Sequence, residues 1–357
     1  MSKYHPMIRI DEIYQNVFLP KAVAKKGVGL HWFDPFGSTD INDIVNLPPI
    51  DGVAKKRIVF WDQEPLHRDR LDGFFQQFCP IYAGPKTLVV SEKNSEDLDW
   101  VCKTFDFEYQ YYFFHAWAAL DWYRGHDRSF LGIPFKDKKI EKLFLCMNNI
   151  IGGRRQHRLL LFKQMVDRGL LTNGFVSFPD VCPYENRSVK SLCDEYSISF
   201  DHSRVSLPLK VDNGSNYHIS SSNVDFWNLS NKSLIHIVTE TVYNGHKLHL
   251  TEKSFKPIVS QQSFIIVSCR GSLDYLKSYG FKTFGDFWDE SYDEQDDASR
   301  ISSIGKLIED LSNLSATELV QLQKNLAPVV EHNFKWFYSR EFESLLWQEL
   351  SQVLRAI

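Results

Sequence analysis

Short apolar runs recur from Arg57 onward, and most lead into a stretch whose apolar positions repeat at helical spacing. Residues 57–61 read as a buried strand, and residues 66–78 as a helix with Leu71, Phe74, Phe75 and Phe78 on one face. Residues 87–90 form the next predicted strand, and Ser95-Glu96-Asp97 opens a helix with acids in its first turn. Residues 109–114 and 116–123 repeat the order of strand then helix. Beyond a predicted linker at 130–139, strands are expected at 143–147 and 174–178, with a basic amphipathic helix at 155–168. Residues 272–278 read as a helix, 282–284 as a short strand, and the chain as helical from about Ala298. Residues 8–17 predict a strand or short helix and 34–37 a turn, while the polar stretch 180–232 predicts loops with brief helices.

The stretch 239–268 concentrates this pattern. The apolar run 233–238 leads into Thr239-Glu240-Thr241, a polar loop follows, and Thr251-Glu252-Lys253 opens a segment with Phe255, Ile258 and Val259 on one face. A second apolar run, 263–267, closes the unit. Strand, loop, helix, strand is the βαβ order of an open α/β sheet, whose ligands sit beyond the carboxyl ends of the strands. A helix N-terminus there offers unpaired N–H groups and a positive dipole end, a seat for phosphate. Lys253 in the first turn opposes the dipole and becomes favourable when an anion binds nearby.

The whole chain therefore predicts two α/β halves, 1–135 and 136–357, with the last helix able to pack back on the first half. A length of 357 residues suits two domains, and 43% hydrophobic with 24% charged residues are globular values. Aromatic residues at 14% serve large cores before they serve sugar or base sites. The net charge of −4 weighs against nucleic acid as an acceptor but leaves it open. The six cysteines contain no CxxC pair, which points to reduced thiols and a cytoplasmic setting. No signal peptide and no run of membrane-spanning length is visible.

Candidate chemistry lies at predicted strand ends. Asp62-Gln63-Glu64-Pro65 follows the strand 57–61, and Pro65 biases Glu64 toward an extended backbone. Glu64 then points into a cleft or remains an exposed turn carboxylate, with Asp62 as a side-chain cap or a second candidate base. Asn148 and Asn149 follow the strand 143–147, and Gly152-Gly153 lead to Arg154, Arg155 and Arg158. Arginine suits bidentate phosphate contact, and a solvated basic helix start is the ordinary alternative. Glu240 and Glu252 are placed to accept from ribose or sugar hydroxyls, and Lys253 to neutralise phosphate. His115 faces an acceptor or is a core histidine. His246 and His249 read as an ordinary polar loop, and Asp286, Asp289, Asp293, Asp296 and Asp297 as solvated acids without the order of a calcium loop. No metal site is expected.

Glu240 followed by Thr251-Glu252-Lys253 resembles the nucleotide-sugar motif of the α1,3-fucosyltransferases, and the likeness extends over residues 57–70 and 140–290. Thr241 and Val242 stand where that family carries Asn and Ser, and the connecting loop is slightly longer, without the Asp-Tyr before Thr-Glu-Lys. The resemblance thus implies a nucleotide sugar more firmly than it implies fucose. It also implies the GT-B fold, two Rossmann-like domains facing a cleft, and a metal-independent, inverting glycosyl transfer. Glu64-Pro65 resembles the family's Glu-Ser-Pro, which makes Glu64 the base that deprotonates an acceptor hydroxyl. Arg158, by its Arg-Leu-Leu-Leu context, matches the arginine that reaches the donor diphosphate. Glu240, Glu252 and Lys253 complete the donor contacts. The donor is expected to be GDP-linked and the acceptor a carbohydrate or other hydroxyl compound. A non-catalytic sugar- or nucleotide-binding module of the same fold is the alternative.

Overall fold

A computed structural model describes residues 27–32, 45–47, 53–61, 64–82, 84–126, 132–211 and 224–356. The stretches predicted at 8–17 and 34–37 lie outside these residues. The chain divides into two compact units. The first comprises residues 1–125, 246–249 and 340–357, and the second residues 126–245 and 250–339.

The first unit is built on a five-stranded sheet of β1 (Val28–Trp32), β2 (Val45–Leu47), β3 (Lys56–Trp61), β4 (Lys86–Val90) and β5 (Phe107–Tyr111), in the order β2-β1-β3-β4-β5. Only β2, at one edge, runs antiparallel to its neighbour. Ile58, Val59, Phe60 and Trp61 of β3 are all buried, as expected of a strand covered on both faces. Helices α1 (Arg68–Ile81) and α2 (Glu96–Phe105) cover the sheet. Leu71, Phe74, Phe75 and Phe78 of α1 pack with Val59, Trp61, Leu88 and Val90 in one core. Ser95 caps α2 by accepting from the Leu98 N–H, with Glu96, Asp97 and Asp99 in the first turn.

The strand predicted at 109–114 begins earlier. Asp106 ends α2 in the left-handed conformation, φ +57°, so the chain is already extended at Phe107. Helix α3 (Phe114–Leu120) follows and passes into a π-helical turn, Asp121–His126. The C-terminal helix Arg340–Ala356 belongs to this unit: Glu349 accepts from the Phe113 N–H at 2.5 Å, and Trp347 meets Trp117 edge-on at 5.0 Å.

The second unit carries β6 (Lys142–Met147), β7 (Gly174–Ser177), β10 (Ser233–Thr239) and β11 (Ser263–Val267), all parallel, in the order β11-β10-β6-β7. Every residue of β10 is buried. From β6 the chain first moves outward to β7 and then crosses back to β10 on the other side of β6. The strand order therefore reverses between β6 and β10, and it is beyond the carboxyl ends at such a reversal that open α/β sheets place their ligand crevice. Its helices are α4 (Gln156–Asp167), α5 (Val189–Glu195), α6 (Val224–Ser230), α7 (Glu252–Val259), α8 (Ser272–Ser278), α9 (Asp297–Ser312) and α10 (Ala316–Phe337). The polar region after β7 includes a small hairpin, β8 (Val181–Cys182) with β9 (Arg187–Ser188), besides α5 and α6.

Two expectations are corrected. The described part of the predicted linker is packed into the second unit: Phe135 is buried, and the buried Lys138 ammonium donates to the carbonyls of Ser230 at 3.0 Å and Ser260 at 2.7 Å. Burial pushes that ammonium's pKa well down. The strand predicted at 282–284 does not form. Asn333 instead satisfies the Lys282 backbone, accepting from its N–H and donating to its carbonyl at 2.8 Å each. An asparagine amide thus replaces a neighbouring strand. Asn333→Ala should cost about 1–3 kcal/mol, the net worth of two part-buried hydrogen bonds, read as a lower urea midpoint without change of slope.

Candidate functional site

The crevice between β6 and β10 is fixed first by Thr239, whose hydroxyl donates to Asn148 Oδ1 at 2.6 Å. The next residue, Glu240, is wholly buried. Its Oε1 accepts from the Thr251 N–H at 3.1 Å and the Ser254 hydroxyl at 2.6 Å. Its Oε2 accepts from the Thr251 hydroxyl at 2.6 Å and the Thr241 N–H at 3.3 Å. A carboxylate has about four acceptor positions, and the chain's own donors fill them. Glu240 is therefore the fixture of the α7 N-terminus, where a negative charge also complements the helix dipole.

Arg158, buried on α4, joins the two strand ends. One terminal nitrogen donates to the Ile150 carbonyl at 2.7 Å, and the other to the carbonyls of Thr239 at 3.1 Å and Glu240 at 3.3 Å. Burial, helped by Arg155, brings its pKa down to about 10, so it remains charged at neutral pH. His157 lies 3.0 Å from the same Glu240 carbonyl, which makes its Nε2 the donor. Burial and then Arg158 push its pKa well below the usual range, so the ring is neutral. That ring stacks on Tyr243 at 4.9 Å, and the Arg300 guanidinium lies 4.6 Å from the centre of the same tyrosine ring. Arg300 also donates to the carbonyls of Ser268 at 2.8 Å and Tyr243 at 3.3 Å and pairs with Asp297. None of His157, Tyr243 and Arg300 carried a sequence signal for this role.

The loop entering α4 is shaped by the β8–β9 hairpin. A Cβ at Gly152 would fall 2.6 Å from the Glu185 carboxylate, which would have to swing aside, and Gly153 has φ +61°. The Cys182 thiol is raised by burial, but the N–H groups of Ile151, Glu185, Gly152 and Tyr184 around it bring the net shift downward. Helix α4 has no side-chain cap and no acid in its first turn.

The half-buried functional groups stand on this scaffold. Lys253 Nζ is 2.8 Å from Glu252 Oε1 and 3.3 Å from the Thr251 hydroxyl. Lys256, one turn on and half-buried, is brought down to about 8 by burial, partly offset by Glu252. Arg158 feels the charges of Arg155, Glu240 and Glu252, and Lys256 those of Glu252, Lys253, Glu240 and Arg158, so that among these six groups four are cationic and two anionic. Asn149 and Arg154 are exposed at the same strand end. The structure thus gathers Asn148, Asn149, Arg158, Glu240, Glu252 and Lys253 at one crevice, with an excess of positive charge.

Glu64 and His115 lie in the first unit. Glu64 follows β3 and is half-buried, between β3 and the buried Pro65-Leu66 pair; Asp62 lies outside the described residues. His115 is buried and meets His249 edge-on at 4.9 Å, so this loop histidine is a core residue while His246 is exposed. Among the described residues no group of three or more His, Cys, Asp or Glu could hold a metal ion, and no helix is long and apolar enough to cross a membrane.

The acids of 286–297 are not all solvated. Asp289 binds the Ser291 N–H and hydroxyl, and Asp296 caps α9. Asp293 is buried, accepts from the Leu273 N–H at 2.9 Å at the start of α8, and is pushed up to about 6 by burial. Between the ordinary aspartate value of 3.8 and about 6, the folded state keeps a proton that the unfolded chain has lost. The contribution of Asp293 to stability therefore falls as pH rises through that window. Asp293→Asn removes the titration. Relative to wild type, the variant should gain about 2–3 kcal/mol between pH 3.5 and pH 7, measured by denaturant unfolding at both values.

Comparison with known proteins closes the description. No protein-family model matches the chain, and no curated protein sequence matches it. Among solved structures, T4 phage β-glucosyltransferase is similar at 12% sequence identity with a TM-score of 0.39, over 79% of this chain and 72% of that one.

Proposed function

We propose that this chain is a glycosyltransferase that moves a sugar from a nucleotide-sugar donor to an acceptor hydroxyl with inversion. The observation that carries the reading is the set of cations at the strand-order reversal of the second unit. Open α/β sheets bind ligands at such a reversal, and an excess of fixed positive charge there suits a diphosphate. The motif that resembles the α1,3-fucosyltransferases, Glu240 with Thr251-Glu252-Lys253, falls on this crevice and extends the reading to a sugar nucleotide, GDP-linked by that resemblance.

In this reading Glu64 takes the proton from the acceptor hydroxyl. The acceptor oxygen bonds to the anomeric carbon as the bond from that carbon to the diphosphate oxygen breaks. The electron pair leaves with the nucleoside diphosphate, and the incoming oxygen enters from the opposite face. Charge grows on the leaving phosphate, so cations fixed in advance act more strongly on the transition state than on the bound donor. Lys253 and Glu252 supply the mobile contacts. Arg158 supplies a fixed positive charge behind them, and Glu240 holds the turn that presents them.

Calorimetry with GDP, UDP and CDP identifies the base. Lys253→Ala should weaken the preferred diphosphate by about 1.5–3 kcal/mol, the range of a charge-assisted hydrogen bond, and unchanged affinity would remove Lys253 from the donor site. Glu64→Gln should lower turnover ~10²–10⁴-fold while diphosphate affinity stays the same. Near-normal turnover in this variant would pass the role to Asp62. Because side-chain cations are assigned the neutralising role, turnover should persist in EDTA; its loss, restored by Mn²⁺ or Mg²⁺, would overturn the metal-independent mechanism. Diphosphate binding without sugar transfer from any donor would instead favour a binding module.

A further inference from the structure

Leu66, two residues after Glu64, has both halves of its main chain held by buried charges of the first unit. Its N–H donates to Glu92 Oε2 at 2.8 Å, and its carbonyl accepts from Lys247 Nζ. Lys247 Nζ also lies 2.8 Å from Asp97 Oδ2 and 3.6 Å from Glu92 Oε1. Glu92 and Lys247 are 2% and 7% exposed. Burial raises the Glu92 pKa, with Lys247 opposing the shift.

Taking two charges out of water costs several kcal/mol per ion before their attraction is counted, so a buried pair is weak evidence of stabilisation. The first unit already has an extensive aromatic core around Phe74, Phe75 and Phe78. What the pair supplies is placement.

Lys247 is itself held. Its neighbour Leu248 exchanges two backbone hydrogen bonds with Lys93, at 3.0 and 2.9 Å, and His249 Nδ1 lies 3.1 Å from the Ser91 carbonyl. Asp97 further accepts from the Arg68 N–H at 3.2 Å, at the start of α1. The segment 64–68 is thus tied at Leu66 from two sides and at Arg68 from a third. Between Glu64 and Leu66 stands Pro65, buried and fixed in φ. With Leu66 clamped and Pro65 stiff, little freedom remains at the Glu64 backbone.

We infer that Glu92 and Lys247 are positioning residues for Glu64, holding the loop that carries the base through the two main-chain groups of Leu66. The inference rests on Glu64 being the base of the proposed transfer. Neither residue needs to touch substrate. A base displaced by about 1 Å loses on the order of 10²-fold in rate, which is the scale of effect at stake.

The test is a double-mutant cycle on Lys247 and Glu64, using the nucleotide sugar that wild type turns over best. Lys247→Met keeps the stem and removes the donor. In the wild-type background it should lower kcat ~10–10²-fold, with the donor KM and the calorimetric diphosphate affinity unchanged. Lys247→Arg, which restores a donor and the charge, should regain most of the loss. In the Glu64→Gln background Lys247→Met should change kcat by less than about 2-fold, because the base it positions is already gone. An unchanged kcat in Lys247→Met overturns the inference. So does a loss of equal size in both backgrounds, which would mark general damage to the fold. If Lys247→Met does not fold, Glu92→Met, which keeps the length of the side chain and removes the acceptor of the Leu66 N–H, is taken through the same cycle and read by the same criteria. Failure of the underlying reading looks different: wild type then transfers no sugar, or Glu64→Gln alone is fully active.

Discussion

The second unit depends on where one carboxylate is buried. Glu240 ends a fully buried strand, and a charge in that place is affordable only when every acceptor position is filled. Thr251, Ser254 and Thr241 fill them, and in doing so they set the first turn of α7 against the end of β10. The carbonyl of the same residue receives Arg158 and His157 from α4. One residue thereby joins the two helices that flank the crevice. The position of Lys253 and Glu252 follows from that joint, since both stand within two residues of Thr251.

Much of this was legible as pattern. The strands and helices of 233–267 follow from apolar runs and from the one-face pattern of Phe255, Ile258 and Val259, because such patterns are local in sequence. The crevice was legible to the same extent, as a βαβ unit with charged residues beyond its strands. The direction in which Glu240 faces was not. A Glu at a strand end reads equally as a ligand group or as a cap, and the choice is made by Ser254, fourteen residues on, whose hydroxyl has no sequence signature. Arg158 was singled out for phosphate, yet its terminal nitrogens are bonded to main-chain carbonyls. Its charge reaches the crevice, while its hydrogen-bond geometry serves the scaffold.

Where the sequence reading failed, long-range partners had replaced local ones. Residues 282–284 read as a short strand, but Asn333 satisfies the Lys282 backbone from a helix far along the chain. Lys138 sits in a stretch composed like a linker, and only the carbonyls of Ser230 and Ser260 make its burial possible. Asp293 looks solvated among other acids, and it is buried because α8 begins beside it. A single polar residue with a distant partner leaves no periodic trace.

The two units solve one physical problem in the same way. Beyond β10, buried Glu240 accepts the backbone N–H of Thr251, and the charged Glu252 and Lys253 follow that residue. Beyond β4, buried Glu92 accepts the backbone N–H of Leu66, and Glu64 precedes it by two residues. In both cases a carboxylate spent on the main chain is withdrawn from chemistry, and a neighbouring charged side chain is left with solvent access and a fixed base. A side chain that must meet substrate cannot also be packed in place, because packing would fill the space the substrate needs. Rigidity has to enter through its backbone instead. A buried acceptor clamped on a peptide N–H one or two residues away supplies that rigidity without occupying the site.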